Sequence, residues 1–314
     1  MPSIVTEKLL DCMNVERKTQ YLKDLTLQEK SAVYISTFRG ALVSVEPALK
    51  IDICDMNTEQ AADALVLACG YRVDAMSNVR KAFQDYVAWC RSMGYSVRDP
   101  NGFDLIRTRG VKLDRAVQNS IITDENELVE IIRCVEKPDD MSRAGAVMCL
   151  LWMGFEPEEI PLIRDDEVDF LSGKIRDRLI PEEFVAILRE YQEVSSSERS
   201  AWNGATIPLH KIQRGYFICQ TNKKADTKPF VSPKQLSTDV IKISDDYSAL
   251  VKGGKTFTAK NISDSGHLRR LYLLHDDHRI TSEEIIAEFA DKNMTYSRIR
   301  TVQQVYESYL RILE

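Results

Sequence analysis

The sequence predicts a mainly α-helical protein with a small β-sheet, divided into two domains. Three observations carry that prediction. Apolar residues recur at helical spacing behind cap-forming residues throughout the first hundred positions, as in Val79, Phe83, Tyr86, Val87 and Cys90. Strand-like runs are short and confined to the surroundings of Val168, Ile207 and Phe217. The 314 residues exceed a typical single domain, and a basic stretch with little periodicity, Asp104–Gln118, separates two periodic halves. The expected layout is a helical domain over 1–106, a basic linker over 107–118 and a second domain over 119–314.

Taken in order, residues 1–50 read as helical, first Val5–Leu10 and then Gln28–Val45, where Val33, Ile35, Phe38, Leu42 and Val45 recur at roughly helical spacing and Pro47 closes the segment. Asn57 or Thr58, followed by Gln60 or Ala61, caps a helix through Leu65 and Val66 that Gly70 stops. A strongly periodic helix begins around Asp74 and ends at Gly94, and Asp99-Pro100-Asn101-Gly102 is a turn by composition. The second domain opens at a helix capped by Thr123, with an acidic first turn that suits the helix dipole. The apolar helix Met141–Met153 follows, breaks at Gly154, and a further helix restarts at Pro157. Glu167–Phe170 is a short strand, and Ile180-Pro181 opens a helix to Tyr191 that ends in a flexible Ser195-Ser-Ser join. Thr206–His210 and Tyr216–Cys219 are strand candidates, and helices begin at Ser232-Pro233 and Ser263.

Composition narrows the function. No apolar run reaches membrane-spanning length, and the first residues lack a basic-then-apolar signal, so the expected location is the cytoplasm, with no membrane partner. Seven cysteines without a C-x-x-C pair fit buried thiols in a reducing compartment rather than disulfides or zinc. His275-Asp-Asp-His278 reads as a solvated turn, and neither a metal nor a cofactor is expected. The net charge of −6 is unevenly spread. Asn203–Leu274 carries twelve Lys or Arg against five Asp or Glu, whereas Asp124–Glu198 carries eight against twenty. One face suited to phosphates and another left in solvent would produce that asymmetry, as would two differently solvated faces.

The stretch Ala146–Gly173, AVMCLLWMGFEPEEIPLIRDDEVDFLSG, runs helix, glycine, helix, acidic turn, strand. That order resembles the heart of the catalytic domain of tyrosine recombinases, the phage integrases. SNVRKAFQDYVAWCRSMGYSVRDP, with Val79, Phe83, Tyr86, Trp89, Gly94 and Pro100, likewise resembles the last long helix of their core-binding domain. The resemblance implies a two-domain clamp around DNA, with a helical core-binding domain and a catalytic-type domain. It also implies a set of catalytic positions, and most of them are altered here. Glu156 stands where the family has an arginine after the Gly-hydrophobe pair. Losing one such electrostatic contact costs on the order of 2.7–4 kcal/mol of transition-state stabilisation, and reversing its sign costs more. Aligned on Leu268-Arg269, the family box H-x-L-R-H-T keeps Arg269, has Gly266 for its first histidine and Arg270 for its second; a shift of one residue brings His267 nearby but breaks the Leu-Arg match. Asn293 falls where a histidine belongs, and Tyr306 and Tyr309 are the tyrosines nearest the nucleophile position. Tyrosines spaced i and i+3 on an amphipathic helix suit packed anchors as well as nucleophiles. Lys174-Ile-Arg-Asp-Arg is basic enough to supply the family's lysine, but no motif places it.

The basic segments survive where the site is emptied. Ser77, Asn78, Arg80 and Lys81 stand near a helix start, where they suit phosphates and base edges or, equally, a cap and a solvated face. Arg107 and Arg109 lie in the linker, and Lys211, Arg214, Lys223 and Lys224 lie in loops of phosphate-facing composition; Arg269 and Arg270 complete the set. Among degenerate recombinase-like proteins, the overall layout is similar to the master lysogeny repressors of SPβ-like temperate phages. That resemblance implies a catalytically inactive transcriptional repressor in the host bacterial cytoplasm, at the nucleoid. It would bind double-stranded operator DNA and be released by a protein or peptide anti-repressor. Two alternatives stand beside it: an active, divergent recombinase using Arg269 with Tyr306 or Tyr309, and a helical adaptor that binds protein alone.

Overall fold

The computed structural model describes residues 9–108, 111–136, 143–196, 198–200, 206–208, 215–218, 231–290 and 293–314. It is mainly α-helical with a small three-stranded sheet. The chain forms two compact units, Met1–Val117 with Tyr296–Arg311, and Gln118–Thr295 with Ile312–Glu314.

The first unit contains α1 (Val15–Leu27), α2 (Ala32–Leu49), α3 (Thr58–Cys69), α4 (Val73–Ser92) and the short α5 (Gly102–Leu105). Leu9 and Leu10, the described end of the expected helix Val5–Leu10, lie in turns that run to Asn14, and α1 starts after Asn14 in a left-handed conformation. α2 runs through Pro47 to Leu49 instead of stopping there, since the ring only forfeits one ladder donor and the Ser31 cap and the buried face of Phe38, Leu42 and Val45 hold the rest. The cap of α3 is the expected one. Asn57 Oδ1 accepts from Gln60 N at 2.9 Å and Gln60 Oε1 accepts from Asn57 N at 3.0 Å. α4 buries Val79, Phe83, Tyr86, Val87 and Cys90 as its periodicity demands, and edge-to-face contacts link Tyr21, Phe38, Phe83, Tyr86 and Phe103. The expected turn at Asn101-Gly102 instead begins α5, because the buried Asn101 caps it and also donates to the carbonyls of Ile53 and Cys54.

A buried ion cluster pins α1 to α2. Lys18, fully buried, reaches Asp52 at 2.7 Å and Glu46 at 3.0 Å and donates to the carbonyl of Met13. Arg17 donates to Asp52 at 2.7 Å and to the Tyr86 hydroxyl at 3.1 Å. Burial pushes Glu46 up to about 7 against the pull of Lys18. Asp52 is also pushed upward by burial, but the Lys18 ammonium and the donors around it outweigh that and hold it down at about 2. Part of the expected linker is ordered as α6 (Asp114–Ser120), with Ala116 and Val117 buried.

In the second unit α7 (Glu125–Val135) is capped by Asp124 rather than Thr123; Asp124 Oδ1 accepts from Glu127 N at 2.8 Å, and Thr123 instead donates to the Glu127 carboxylate. α8 (Arg143–Trp152) is buried along its whole length apart from Arg143 and packs against α9 (Glu182–Ser196), α10 (Pro233–Leu250) and α11 (Ala259–Leu274). The second helix expected from Pro157 does not form. Turns lead to 3-10 turns at Ile160–Leu162 and Asp165–Glu167, because Pro161 removes the donor that would bond the carbonyl of Pro157. β1 (Val168–Asp169), β2 (Lys174–Ile175) and β3 (Arg178–Leu179) form an antiparallel meander, and β4 (Glu198–Ser200) pairs with β5 (Thr206–Pro208). Ser232 and Pro233 start α10 as expected, but α11 starts four residues before Ser263, at a Thr258–Asn261 capping box. α12 (Ser282–Glu288) is the last helix of this unit. The closing helix α13 (Tyr296–Leu313) falls in the first unit up to Arg311, whose guanidinium holds Asp114 of the same unit at 2.6 Å.

Candidate functional site

Two close approaches to α11, one by the end of α8 and one by the turn that follows it, build the site. Gly266 lies so near the end of α8 that a Cβ on it would stand 2.0 Å from the carbonyl oxygen of Trp152, so only glycine fits without moving a helix. Past Trp152 the chain turns at Gly154, with φ +86°, and a Cβ there would lie 3.0 Å from Nη2 of Arg270. Glu156 follows on this turn, exposed, its N–H donating to Glu159 at 2.8 Å.

The neighbouring residues of α11 separate by side. Arg269 turns to Glu125, 3.2 Å away, and lies over the Tyr272 ring. Arg270 turns the other way, its Nη1 donating to Trp152 O at 2.6 Å and its Nε to Glu288 Oε1 at 2.7 Å. The largely buried His267 joins it, with Nδ1 2.8 Å from the same Glu288 oxygen and 3.1 Å from Arg270 Nη2. Phe289 stacks on the His267 ring with centroids 4.3 Å apart. Burial alone would raise the Glu288 carboxyl; the His267 bond and the Arg270 charge overcome it and hold it below the ordinary carboxylate range. The structure thus gathers His267, Arg270 and Glu288, a grouping that sequence reasoning set aside in favour of Arg269. His267 and Arg270 have the i, i+3 spacing of the resembled box, a signal open to the eye in the sequence. Glu288 had none.

After the Gly154 turn, Phe155 lies under Arg178, whose guanidinium is 4.0 Å from the ring centroid and 3.5 Å from Glu159. Arg176 at the β2–β3 turn donates to Glu167 and to the Leu162 carbonyl, while Lys174 is exposed. The acidic turn is therefore matched locally by the basic hairpin.

The expected DNA-contacting residues of the first unit lie on the second and third turns of α4. Ser77 and Asn78 are exposed, with Ser77 Oγ 3.4 Å from Thr108 Oγ1. Arg80 points to the carbonyl of Phe103 at 3.4 Å, and Lys81, 68% exposed, pairs with Asp85. Arg107 is exposed. Arg109, Lys211, Arg214, Lys223 and Lys224 fall outside the described residues. Asn293 is exposed, whereas Tyr306 and Tyr309 on α13 are buried, at 2% and 0% exposure, with ring centroids 6.4 Å apart. His275 pairs with Glu284 at 2.5 Å and His278 stacks on Tyr272, so the two histidines serve different partners. Among the described residues no group of three or more His, Cys, Asp or Glu is placed to hold a metal, and no helix is long and apolar enough to cross a membrane.

No protein-family model matches the chain, and no curated protein matches it. Among solved structures it is similar to a recombinase and to integrases. XerA recombinase is 13% identical, with 95% of this chain and 97% of that chain covered and a TM-score of 0.42. A λ integrase (75–356) dimer bound to a COC′ core site is 11% identical over 92% of this chain and 94% of that one, with a TM-score of 0.36. The integrase of mycobacterium phage Brujita is 15% identical over 93% and 91%, with a TM-score of 0.34.

Proposed function

We propose that this protein is a sequence-specific, double-stranded-DNA-binding transcriptional repressor on a recombinase-like scaffold that does not cut DNA. The observation that carries the reading is Glu156, an exposed residue two positions after Gly154, at the position where the resemblance puts a phosphate-gripping arginine. A carboxylate there repels the charge that builds on a transferring phosphoryl group. Function lives in the site rather than the scaffold, so a DNA-binding body can outlast its chemistry. The buried phenols of Tyr306 and Tyr309 support the same reading, since a nucleophile must reach its phosphate. The overall resemblance to lysogeny repressors supplies the biological role: holding phage lytic genes shut in the bacterial cytoplasm until a protein or peptide anti-repressor intervenes.

The alternative is an active, divergent recombinase. His267 and Arg270 favour it, because they are paired at the box spacing and face one anion. Selection of bound duplexes from a random pool, followed by footprinting, tests sequence-specific binding. Incubating the selected site in nicked form and analysing it under denaturing conditions separates the two readings, since only the recombinase leaves a covalent protein–DNA adduct.

A further inference from the structure

The end of α12 delivers two side chains onto one histidine. Glu288, its last residue, takes both His267 Nδ1 and Arg270 Nε on a single carboxylate oxygen, and Phe289 stacks on the same imidazole. A carboxylate at a helix C-terminus opposes the helix dipole, so its placement is locally unfavourable and is sustained by the two cation-forming side chains it meets. Arg270 keeps a third of its side chain exposed, at 34%, whereas His267 and Glu288 show 11% and 17%. Part of the Arg270 side chain is thus open to solvent while its charge is already matched by Glu288. A carboxylate and a phosphate present the same acceptor geometry to a guanidinium fork, so one can stand in for the other.

We propose that Glu288 is an internal anion that holds the His267–Arg270 pair closed, and that a tetrahedral oxyanion, free or in a DNA backbone, binds the pair only by displacing it. Displacement is local. α12 has seven residues, is fixed at its start by the Thr281–Glu284 capping box and the His275–Glu284 pair, and buries one apolar side chain fully, Ile285. Its far end can leave His267 while its near end stays held. The competing account makes Arg270 a purely structural residue that satisfies Trp152 O at the end of α8 and uses Glu288 for neutrality. On that account removing Glu288 weakens the fold and gives no anion site.

The test uses the full chain as wild type, Glu288→Gln, Glu288→Asp and the double variant Glu288→Gln/Arg270→Gln. Sodium sulfate is titrated against sodium chloride at matched ionic strength, with Tm as readout. Glu288→Gln should gain a saturable sulfate-dependent rise in Tm that wild type lacks and the double variant loses again. Glu288→Asp, which keeps the charge but draws it back, should gain part of it and serves if the Gln variant does not fold. A folded Glu288→Gln, or failing that a folded Glu288→Asp, with the wild-type sulfate response overturns the proposal. A second arm rests on the DNA-binding reading: Glu288→Gln should bind a random-sequence duplex about tenfold more tightly, with a log–log salt slope steeper by about one. Sulfate gained without any duplex binding upholds the internal anion and removes the DNA reading. Duplex binding by wild type with no change of either readout in Glu288→Gln upholds the DNA reading and removes the internal anion.

Discussion

Gly266 of α11 and the carbonyl oxygen of Trp152 at the end of α8 touch so closely that no β-carbon fits between them, the distance from an added Cβ being 2.0 Å. The contact is backbone to backbone, so no side chain can swing aside. Gly266→Ala should therefore force α8 and α11 apart and destabilise the protein by about 1–3 kcal/mol or more, the usual range for overpacking. Gly266→His, which installs the residue of the resembled box, should be worse. Urea unfolding curves check both, and a Gly266→Ala variant as stable as wild type would mean the helices are not in contact.

That glycine also shows what the sequence could disclose and what it could not. Caps at Asn57 and Ser232 were readable because their partners, Gln60 and Gln235, lie three residues away. The start of α11 was missed because its box uses Asn261 where Glu or Gln is the usual signal. Pro157 pointed to a helix that Pro161 prevents, and Pro47 pointed to an end that tertiary packing of α2 overrides. Glu156 was legible as an anomaly only through the resemblance, which puts an arginine after the Gly154-Phe155 pair. Arg269 and Arg270 were not separable, since adjacent helical residues point about 100° apart and only the positions of α7 and α12 decide which partner each finds. Glu288, 21 positions beyond His267, meets it only because α12 folds back.

The ion cluster of the first unit should give stability an acid limb. Asp52 ordinarily titrates at 3.8 and is held at about 2, so its ionised form stabilises the fold above the ordinary value, and that contribution fades as pH falls toward 2. Its size is about 2 kcal/mol by linkage. Glu46 acts in the opposite sense: raised from 4.5 to about 7, it is easier to protonate folded than unfolded, so its ionisation weakens the fold as pH rises between those values. The stability difference between wild type and Asp52→Asn should shrink as pH is lowered from about 4 to about 2. A constant difference across that range would show that Asp52 is not held ionised by Lys18 and Arg17.

If DNA binding runs through the basic residues, log affinity should fall linearly with log salt, by about 0.9 for each phosphate neutralised. Lys81 is exposed and its Asp85 pair is a surface pair of little worth, so Lys81→Ala should flatten the slope by about one and weaken all sequences alike. Asn78→Ala should instead relax discrimination between sites by roughly 1–3 kcal/mol where Asn78 reads a base edge. Equal loss on every sequence from Asn78→Ala would demote it to a backbone contact.

The last prediction concerns strand cleavage. A tyrosine oxygen can displace a DNA oxygen only where the charge gathering on the phosphoryl group is met by fixed donors. Here Glu156 presents a carboxylate on the Gly154 turn, Arg269 is matched by Glu125, and Arg270 with His267 is matched by Glu288. Tyr306 and Tyr309 are buried in packing. Groups that act as a unit do not contribute additively, so mending one of them should not restore the reaction. Glu156→Arg alone should tighten duplex binding through its change of charge and still leave no covalent product. Tyr306→Phe and Tyr309→Phe should retain duplex affinity, apart from whatever packing the lost hydroxyl supports. Wild type, the two Phe variants and Glu156→Arg, each incubated with a nicked version of the selected site and resolved under denaturing conditions, decide the matter. An adduct formed by wild type and lost in either Phe variant would establish the protein as a recombinase and overturn the repressor reading.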